Sequence, residues 1–285
     1  MQERGSGPMK SSQSQPDLAA RTIADFGDQW QRYTDNEGYY GDVDILEGTF
    51  GPLLKLKEIE GKRVAEIGSG TGRIVRMLLQ AGAREVTAIE PSAAFEVLKR
   101  NLADDADRVV FLNKAGHEIP AGREFDFIVS IGVIHHIPDP GPVIAASLRA
   151  LRPGGKMVVW LYGREGSSLI VQGIRALRAV TVRLPHFMVA AIAHLLALAL
   201  DLYVFACRHI GGLPLGDYVK NVVGRFSRSK RYLVVYDQLK PAYAKYYREA
   251  EARKLLESNG FADVRLFFRH GYSWTVIGTR PANLS

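Results

Sequence analysis

At 285 residues, the chain has room for one large domain, or one domain with an insertion, around a sizeable core. Its 47% hydrophobic and 24% charged content is ordinary for a soluble globular protein, and a single cysteine, Cys207, excludes an internal disulfide framework and suits a reducing compartment. The net charge of +7 is concentrated: 164–250 holds 13 Lys+Arg against 5 Asp+Glu, a net of +8, and leaves the remainder near neutral, which speaks about partners rather than fold.

Residues 1–16 are polar, read as a flexible tail, and lack the apolar segment of a signal peptide. From 17 to 60 the pattern is helical and aromatic, with Phe26, Trp30, Tyr33, Tyr39, Tyr40 and Phe50, and predicts an N-terminal helical cap. Trp30 and Tyr33 are three apart, so one helix face can serve both, either in a pocket or against the domain edge. A strand is predicted at 63–67, then a glycine turn at 68–72, then a helix to Gly82. Further strands follow at 85–90, 108–112, 125–130 and 156–162, separated by helices starting after Ser92 and near 141. This alternation predicts an α/β fold with parallel strands and right-handed crossovers. Residues 164–247 fit no strand–helix unit. A helix at 251–259 and two strands at 264–268 and 273–279 close the chain, and Gly271-Tyr272 between them predicts an antiparallel last strand.

The turn Gly68-Ser69-Gly70-Thr71-Gly72 is the chemical centre of this pattern. Its glycines permit positive φ and close backbone approach, and such a turn aims backbone N–H groups at a ligand above the strand. A dinucleotide fingerprint reads G-x-G-x-x-G, whereas this turn reads G-x-G-x-G, with Glu66 two positions before it. That disfavours an NAD-type oxidoreductase. Glu90 ends the second strand, where an acid can accept hydrogen bonds from a ribose diol or interact with the next helix N-terminus.

The stretch from Glu66 to Gly72 resembles the first motif of the class I S-adenosylmethionine (SAM) dependent methyltransferases, E/D-x-G-x-G-x-G. Phe26-Gly27-Asp28-Gln29-Trp30 is similar to the family's FG-x-x-W opening, and 125–137 to its FD-x-x-x-S-x-x-x-x-HH strand. Gly260-Phe261 resembles the end of its last helix, and 237–243 a D-x-x-x-P-x-Y segment of relatives with a long insertion. The resemblance implies a Rossmann-like, doubly wound, seven-stranded sheet formed by 61–163 plus 248–285. It also implies SAM as cofactor and S-adenosylhomocysteine (SAH) as product. Glu66 would face the methionine end, the backbone of Gly68, Ser69, Gly70 and Gly72 would pack on ribose and sulfur, and Glu90 would hold the ribose. Where many relatives carry an adenine-contacting acid, this chain has Ala115. Adenine would then rely on backbone near Ala115 and Gly116, on His117, or on water. Ser130 and Ile131 would flank the methionine portion. His135 and His136 either supply a general base or order their loop. Adjacent histidines point apart and no ligand cluster accompanies them, so no metal is expected. Trp30, Tyr33, Asp237 and Tyr243 are candidates for the acceptor pocket, with packing and capping as their alternatives.

Within 164–247, a 21-residue stretch, 187–207, is interrupted only by His194 and Asp201. It reads as a lid or homo-oligomer helix, as a helix on an anionic membrane surface, or as a span, though the two ionisable groups make a span costly. The basic, aromatic run 224–232 can bind phosphates or lie solvated; no RNA-binding module accompanies it, so nucleic acid is not the expected partner. The expected protein is a cytoplasmic methyltransferase, or one peripheral to a membrane, acting on an O, N or C atom of a small hydrophobic or anionic molecule. The alternative is a SAM-binding scaffold without turnover.

Overall fold

The computed structural model describes residues 14–122, 124–165 and 168–283, without the side chains of 168–170. Most of the expected tail, 1–13, lies outside the described residues. Its last two residues belong to a helix instead: α1 is Gln15–Arg32, because the Ser14 hydroxyl caps the Asp17 N–H and Pro16 sits in the first turn. With α2 (Val43–Phe50) it forms the cap. The chain then runs β1 (Arg63–Ile67), α3 (Arg73–Gln80), β2 (Glu85–Ile89), α4 (Phe95–Asn101), β3 (Val109–Leu112), β4 (Phe125–Ile131), α5 (Gly141–Ala150) and β5 (Leu151–Tyr162). Four helices form the insertion: α6 (Ser168–Thr181), α7 (His186–His209), α8 (Gly216–Asn221) and α9 (Arg228–Leu239). Then α10 (Glu249–Glu257), β6 (Ala262–Arg269) and β7 (Ser273–Thr279) complete the chain.

The seven strands lie in the order β3-β2-β1-β4-β5-β7-β6. All pairs are parallel except those of β7, which runs antiparallel to β5 and β6. Helices cover both faces, so β1 is apolar almost throughout, with Val64, Ala65 and Ile67 buried beside the single acid Glu66. One core layer gathers Leu46, Phe50, Met77 and Leu78; the other gathers Ile144, Leu151, Leu256 and Phe261. Between β1 and β4 the order reverses, and the crevice at their carboxyl ends is where such sheets hold ligands.

β5 begins earlier than the pattern predicts. Leu151 already pairs with Phe125 before a register shift, so Arg152-Pro153-Gly154-Gly155 is part of the strand and not a separate turn. Asp126 ties the start of β4 to both neighbouring strands. Its carboxylate accepts the Arg63 N–H at 2.9 Å and the Arg152 Nε–H at 2.6 Å.

The insertion is not a loose appendage. Val189, Ala193 and Ala197 of α7 pack on Tyr232, Tyr236 and Leu239 of α9, while Val204 and Cys207 meet Val219 and Val223. Val222, Phe226 and Leu233 join the same core layer as Tyr40 and Phe50 of the cap. The basic run 224–232 is corrected accordingly: it is not a solvated loop. Ser227 caps α9, Lys230 is buried and ion-paired with Asp35 at 2.6 Å, and Arg231 pairs with Asp201.

Burial works against the Asp126 charge, but the Arg63 amide and Arg152 guanidinium hold its pKa below the ordinary 3.8. A depressed carboxylate stabilises above its unfolded pKa, and that contribution vanishes as pH falls through the folded value. Asp126→Asn should therefore cost about 1–2 kcal/mol near neutral pH. Urea midpoints for the two proteins should converge in strong acid.

Candidate functional site

A cavity of about 240 Å³ opens at the carboxyl ends of β1, β2 and β4. Glu66, the turn 68–71 and Glu90 form its floor, Ala115, Gly116 and His117 one end, and Phe26 and Trp30 its roof. Gly68 sits at φ +79°, and a Cβ there would come within 2.4 Å of Val133, so only glycine fits. Gly27 lets α1 approach closely: its added Cβ would lie 3.2 Å from the Ala93 N.

The turn's amides are not free, contrary to expectation. The Gly68 and Ser69 N–H groups donate to the Ile89 carbonyl, and Gly72 donates to Ser69 O. The Gly70 N–H donates to Glu90 Oε2 at 2.8 Å, and the Ser92 N–H to Glu90 Oε1 at 2.9 Å. Glu90 thus clamps the turn to the exit of β2. A carboxylate has roughly four acceptor positions. Each oxygen keeps one for a ligand. Gly72 does not line the cavity; a Cβ added there would come within about 3 Å of Leu102 and Leu98.

Glu66 is 1% exposed, and its Oε2 has no hydrogen-bond partner among the described residues. Burial above all, with Glu90 adding to it, pushes its pKa up to about 8. Ser130 does not reach the cavity: it is fully buried and its hydroxyl donates to Ile67 O. Ile131 does line it.

A second cavity, about 160 Å³, shares Trp30, Tyr40, Arg73, Ile131 and His136 with the first. Its walls are aromatic, with Trp160, Tyr162, Tyr218, Phe226 and Tyr272, and its polar groups include Asp237, Gln238 and Arg269. The His136 Nδ1–H donates to Tyr243 O at 2.7 Å, which leaves the Nε2 lone pair free of that bond. Burial lowers this imidazole to about 3. His135 lines neither cavity; it is packed against Tyr162 and Trp160, and its ring nitrogens have no hydrogen-bond partner. Burial and then its neighbour His136 hold it well below the ordinary histidine range.

Asp237 accepts a short hydrogen bond from Gln29 Nε2. Burial raises its carboxyl to about 7, against the pull of Gln29 and the nearby Arg73 and Arg178. Tyr33 faces neither cavity; its hydroxyl meets that of Tyr232 at 2.9 Å, and its ring packs on Tyr236. Tyr243 contributes only its backbone carbonyl. Gln29, Asn36, Arg73 and Arg269 were not singled out from the sequence. Gln29 lies three residues after Phe26 on one helix face, a signal that was available. Asn36 exchanges hydrogen bonds with Thr71 of the turn, which no local pattern reveals.

Residues 65–159 match the methyltransferase domain family. That stretch, a third of the chain from β1 through most of β5, resembles a methyltransferase domain. The domain is 33% identical over 102 residues to the ubiquinone biosynthesis O-methyltransferase of Aromatoleum aromaticum, covering 35% of this chain and 43% of that protein. It is also 33% identical over 108 residues to the tRNA U34 carboxymethyltransferase of Shewanella halifaxensis, covering 36% of this chain and 32% of that one. The match therefore spans less than half the length of these relatives. The fold of the whole chain is similar to magnesium protoporphyrin IX methyltransferase from Synechocystis PCC 6803, solved with bound SAH. There the TM-score is 0.54 at 15% identity, over 94% of this chain and 100% of that one. It is similar too to the Burkholderia thailandensis 1,6-didemethyltoxoflavin-N1-methyltransferase, with a TM-score of 0.53 at 16% identity, over 97% and 93% of the two chains. The chain has the mixed, mostly parallel seven-stranded sheet expected from the sequence.

The buried acid of this domain makes ligand-free stability depend on pH. The folded pKa of Glu66, about 8, lies above the ordinary 4.5, so folded protein holds a proton that the unfolded chain has lost. Stability should fall as pH rises between those values. Glu66→Gln should melt higher than wild type at the alkaline end of that window and alike at the acid end, by calorimetry without ligand.

Proposed function

We propose that the chain is an enzyme that transfers a methyl group from SAM to an O, N or C atom of a small aromatic or hydrophobic molecule, releasing SAH. The observation that carries this reading is the pair of carboxyls at the tips of β1 and β2, one with an unpartnered buried oxygen, facing a cavity continuous with a second, aromatic one. The orphaned Glu66 oxygen fits the ammonium of the methionine end. Glu90 has acceptor positions to spare for the ribose diol. Backbone at Ala115 and Gly116 borders the adenine end, and the backbone of Gly68, Ser69 and Gly70 forms the bed between.

Bound SAM supplies a methyl group already activated by its sulfonium. The protein's contribution is alignment of the acceptor, held near Ile131 and His136, with that group. Asp237, poised at about 7, takes a proton from a hydroxyl acceptor; His136, at about 3, stays neutral and orients the loop and acceptor. The aromatic walls exclude water. The small-molecule reading is favoured over nucleic acid because Lys230 and Arg231 of the basic run are built into α9 and paired with Asp35 and Asp201. The relatives' named acceptors, in ubiquinone biosynthesis and didemethyltoxoflavin, agree with a ring compound.

Calorimetry with SAH should give an affinity that Glu90→Ala weakens by about tenfold or more, the equivalent of one lost charged hydrogen bond. Equal affinities would count against the ribose contact. Wild-type affinity should rise with pH toward about 8, as Glu66 gives up its proton to meet the ammonium, and Glu66→Gln should flatten that profile. Labelled methyl transfer from SAM into the small-molecule fraction of a cell extract identifies the acceptor and separates enzyme from scaffold. With that acceptor, Asp237→Asn should lower kcat by about 100-fold or more while SAH binding stands.

The proposed location is the periphery of an anionic membrane, reached through α7. By length and composition α7 is long enough to cross a bilayer. Its inner face, however, is packed on α8 and α9, and Asp201 is paired with Arg231 and Arg228. Its outer face presents Phe187, Leu195, Leu198, Leu202 and Phe205, each between 62% and 71% exposed, at helical spacing and without an acid. Exposed Arg183 precedes the helix, and exposed Arg208 and His209 end it. An apolar stripe with basic ends fits anionic lipid. Vesicles containing phosphatidylserine should co-sediment the protein better than phosphatidylcholine alone, and Leu198→Glu with Phe205→Glu should abolish this. A lipid-free dimer broken by the same variant would overturn the membrane reading in favour of an oligomer.

A further inference from the structure

The polar end of the second cavity holds a cation with no counter-ion. Arg269 ends β6, is only 6% exposed, and lines that cavity. Its Nη1 donates to Thr49 Oγ1 at 3.1 Å, but its buried Nε has no partner. Among the described residues it forms no ion pair with any Asp or Glu. A second guanidinium, Arg73, lines the same cavity, donating to Tyr40 O and lying over the Tyr40 ring at 4.2 Å. The acid of the chamber does not answer this charge. Asp237 Oδ1 is taken by Gln29, the carboxyl forms no ion pair with Arg269, and burial raises it to about 7, so it carries only part of a charge at neutral pH.

A buried charge without a partner is among the costliest arrangements a fold can keep. Burial, with Arg73 nearby, weakens the hold of Arg269 on its proton, opposed by Tyr218 and Tyr39. An incoming anion would relieve both effects. The planar guanidinium fork matches a carboxylate, with the free Nε on one edge. Beside it, Tyr218 and Tyr272 stack at 4.2 Å between centroids, and Tyr162 and Trp160 extend the aromatic wall toward His135 and His136. A flat ring packs against such an aromatic wall better than a flexible chain does.

We propose that Arg269 is an anion-recognition residue for the methyl acceptor, and that the acceptor is an aromatic carboxylic acid held with its carboxylate on Arg269. The assignment rests on the methyl-donor reading of the first cavity and specifies what the second one takes. Arg269 selects and positions; His136, which lines both cavities, and Asp237 of the second are the groups proposed above to meet the methylated atom.

The test uses full-length protein saturated with SAH and a set of hydroxylated one- and two-ring aromatic acids, each paired with its neutral primary amide. One such pair is 3,4-dihydroxybenzoate and 3,4-dihydroxybenzamide. By calorimetry, at least one acid should bind about tenfold or more tightly than its amide, the expected margin for a desolvated charged pair. Arg269→Met should erase that preference while SAH affinity and melting temperature stay near wild type. If Arg269→Met melts early, Arg269→Gln is read instead, since its amide can keep the Thr49 bond. No acid outbinding its amide, or a preference that survives in the folded variant, overturns the proposal. Failure of wild type to bind SAH overturns the methyl-donor reading on which it rests.

Discussion

The carboxylate of Glu90 is the constraint on which the site depends. It takes one N–H from the glycine turn after β1 and another from the segment after β2, so two neighbouring strand ends are fixed by one side chain. Glu66 lies one strand away in the same crevice and has no such satisfaction at Oε2. The contrast separates their roles. Glu90 organises backbone with one acceptor position on each oxygen and keeps the others, whereas Glu66 Oε2 meets no donor at all. The position of both is dictated by the sheet, because β1 and β2 are parallel and in register from Arg63–Glu85 to Ile67–Ile89.

Around this floor, the cap and the insertion form one roof. Gln29 meets Asp237, Asp25 accepts from the Ala242 N–H and pairs with Lys240, and Asp35 pairs with buried Lys230. Tyr33 and Tyr232 add a hydroxyl pair. Each contact joins chain segments about two hundred residues apart, so the insertion is folded onto the cap as well as onto β5 and the β6–β7 turn, where Gln238 meets Tyr162 and Tyr218 stacks on Tyr272. Its outward face carries the apolar stripe of α7, and its inward face supplies Asp237, Tyr218 and Phe226 to the second cavity.

Much of the fold was legible because its signals are local. Strand, glycine turn and helix are contiguous, and the burial of both sheet faces writes unbroken apolar runs. Glu66, Glu90 and His136 were legible for the same reason: each stands at a strand end or just past one. Gly72 and Ser130 show the limit of that logic. A motif fixes where a residue lies along the chain but not which way it faces: Gly72 lies against Leu98 and Leu102, and the Ser130 hydroxyl turns to Ile67 O. The basic run 224–232 shows another limit. Dense charge suggests solvent until Asp35 and Asp201, remote in sequence, supply partners. Arg269 was invisible for the complementary reason. An arginine at a strand end is unremarkable until the surrounding fold is seen to leave it buried and unanswered.

Helix α1 belongs to both chambers at once. Phe26 and Trp30 roof the first, while Gln29, between them, grips the acid of the second. Neither chamber can therefore be uncovered by lifting α1 without loosening the other. A displacement of α1 would therefore expose both hollows together, not one at a time.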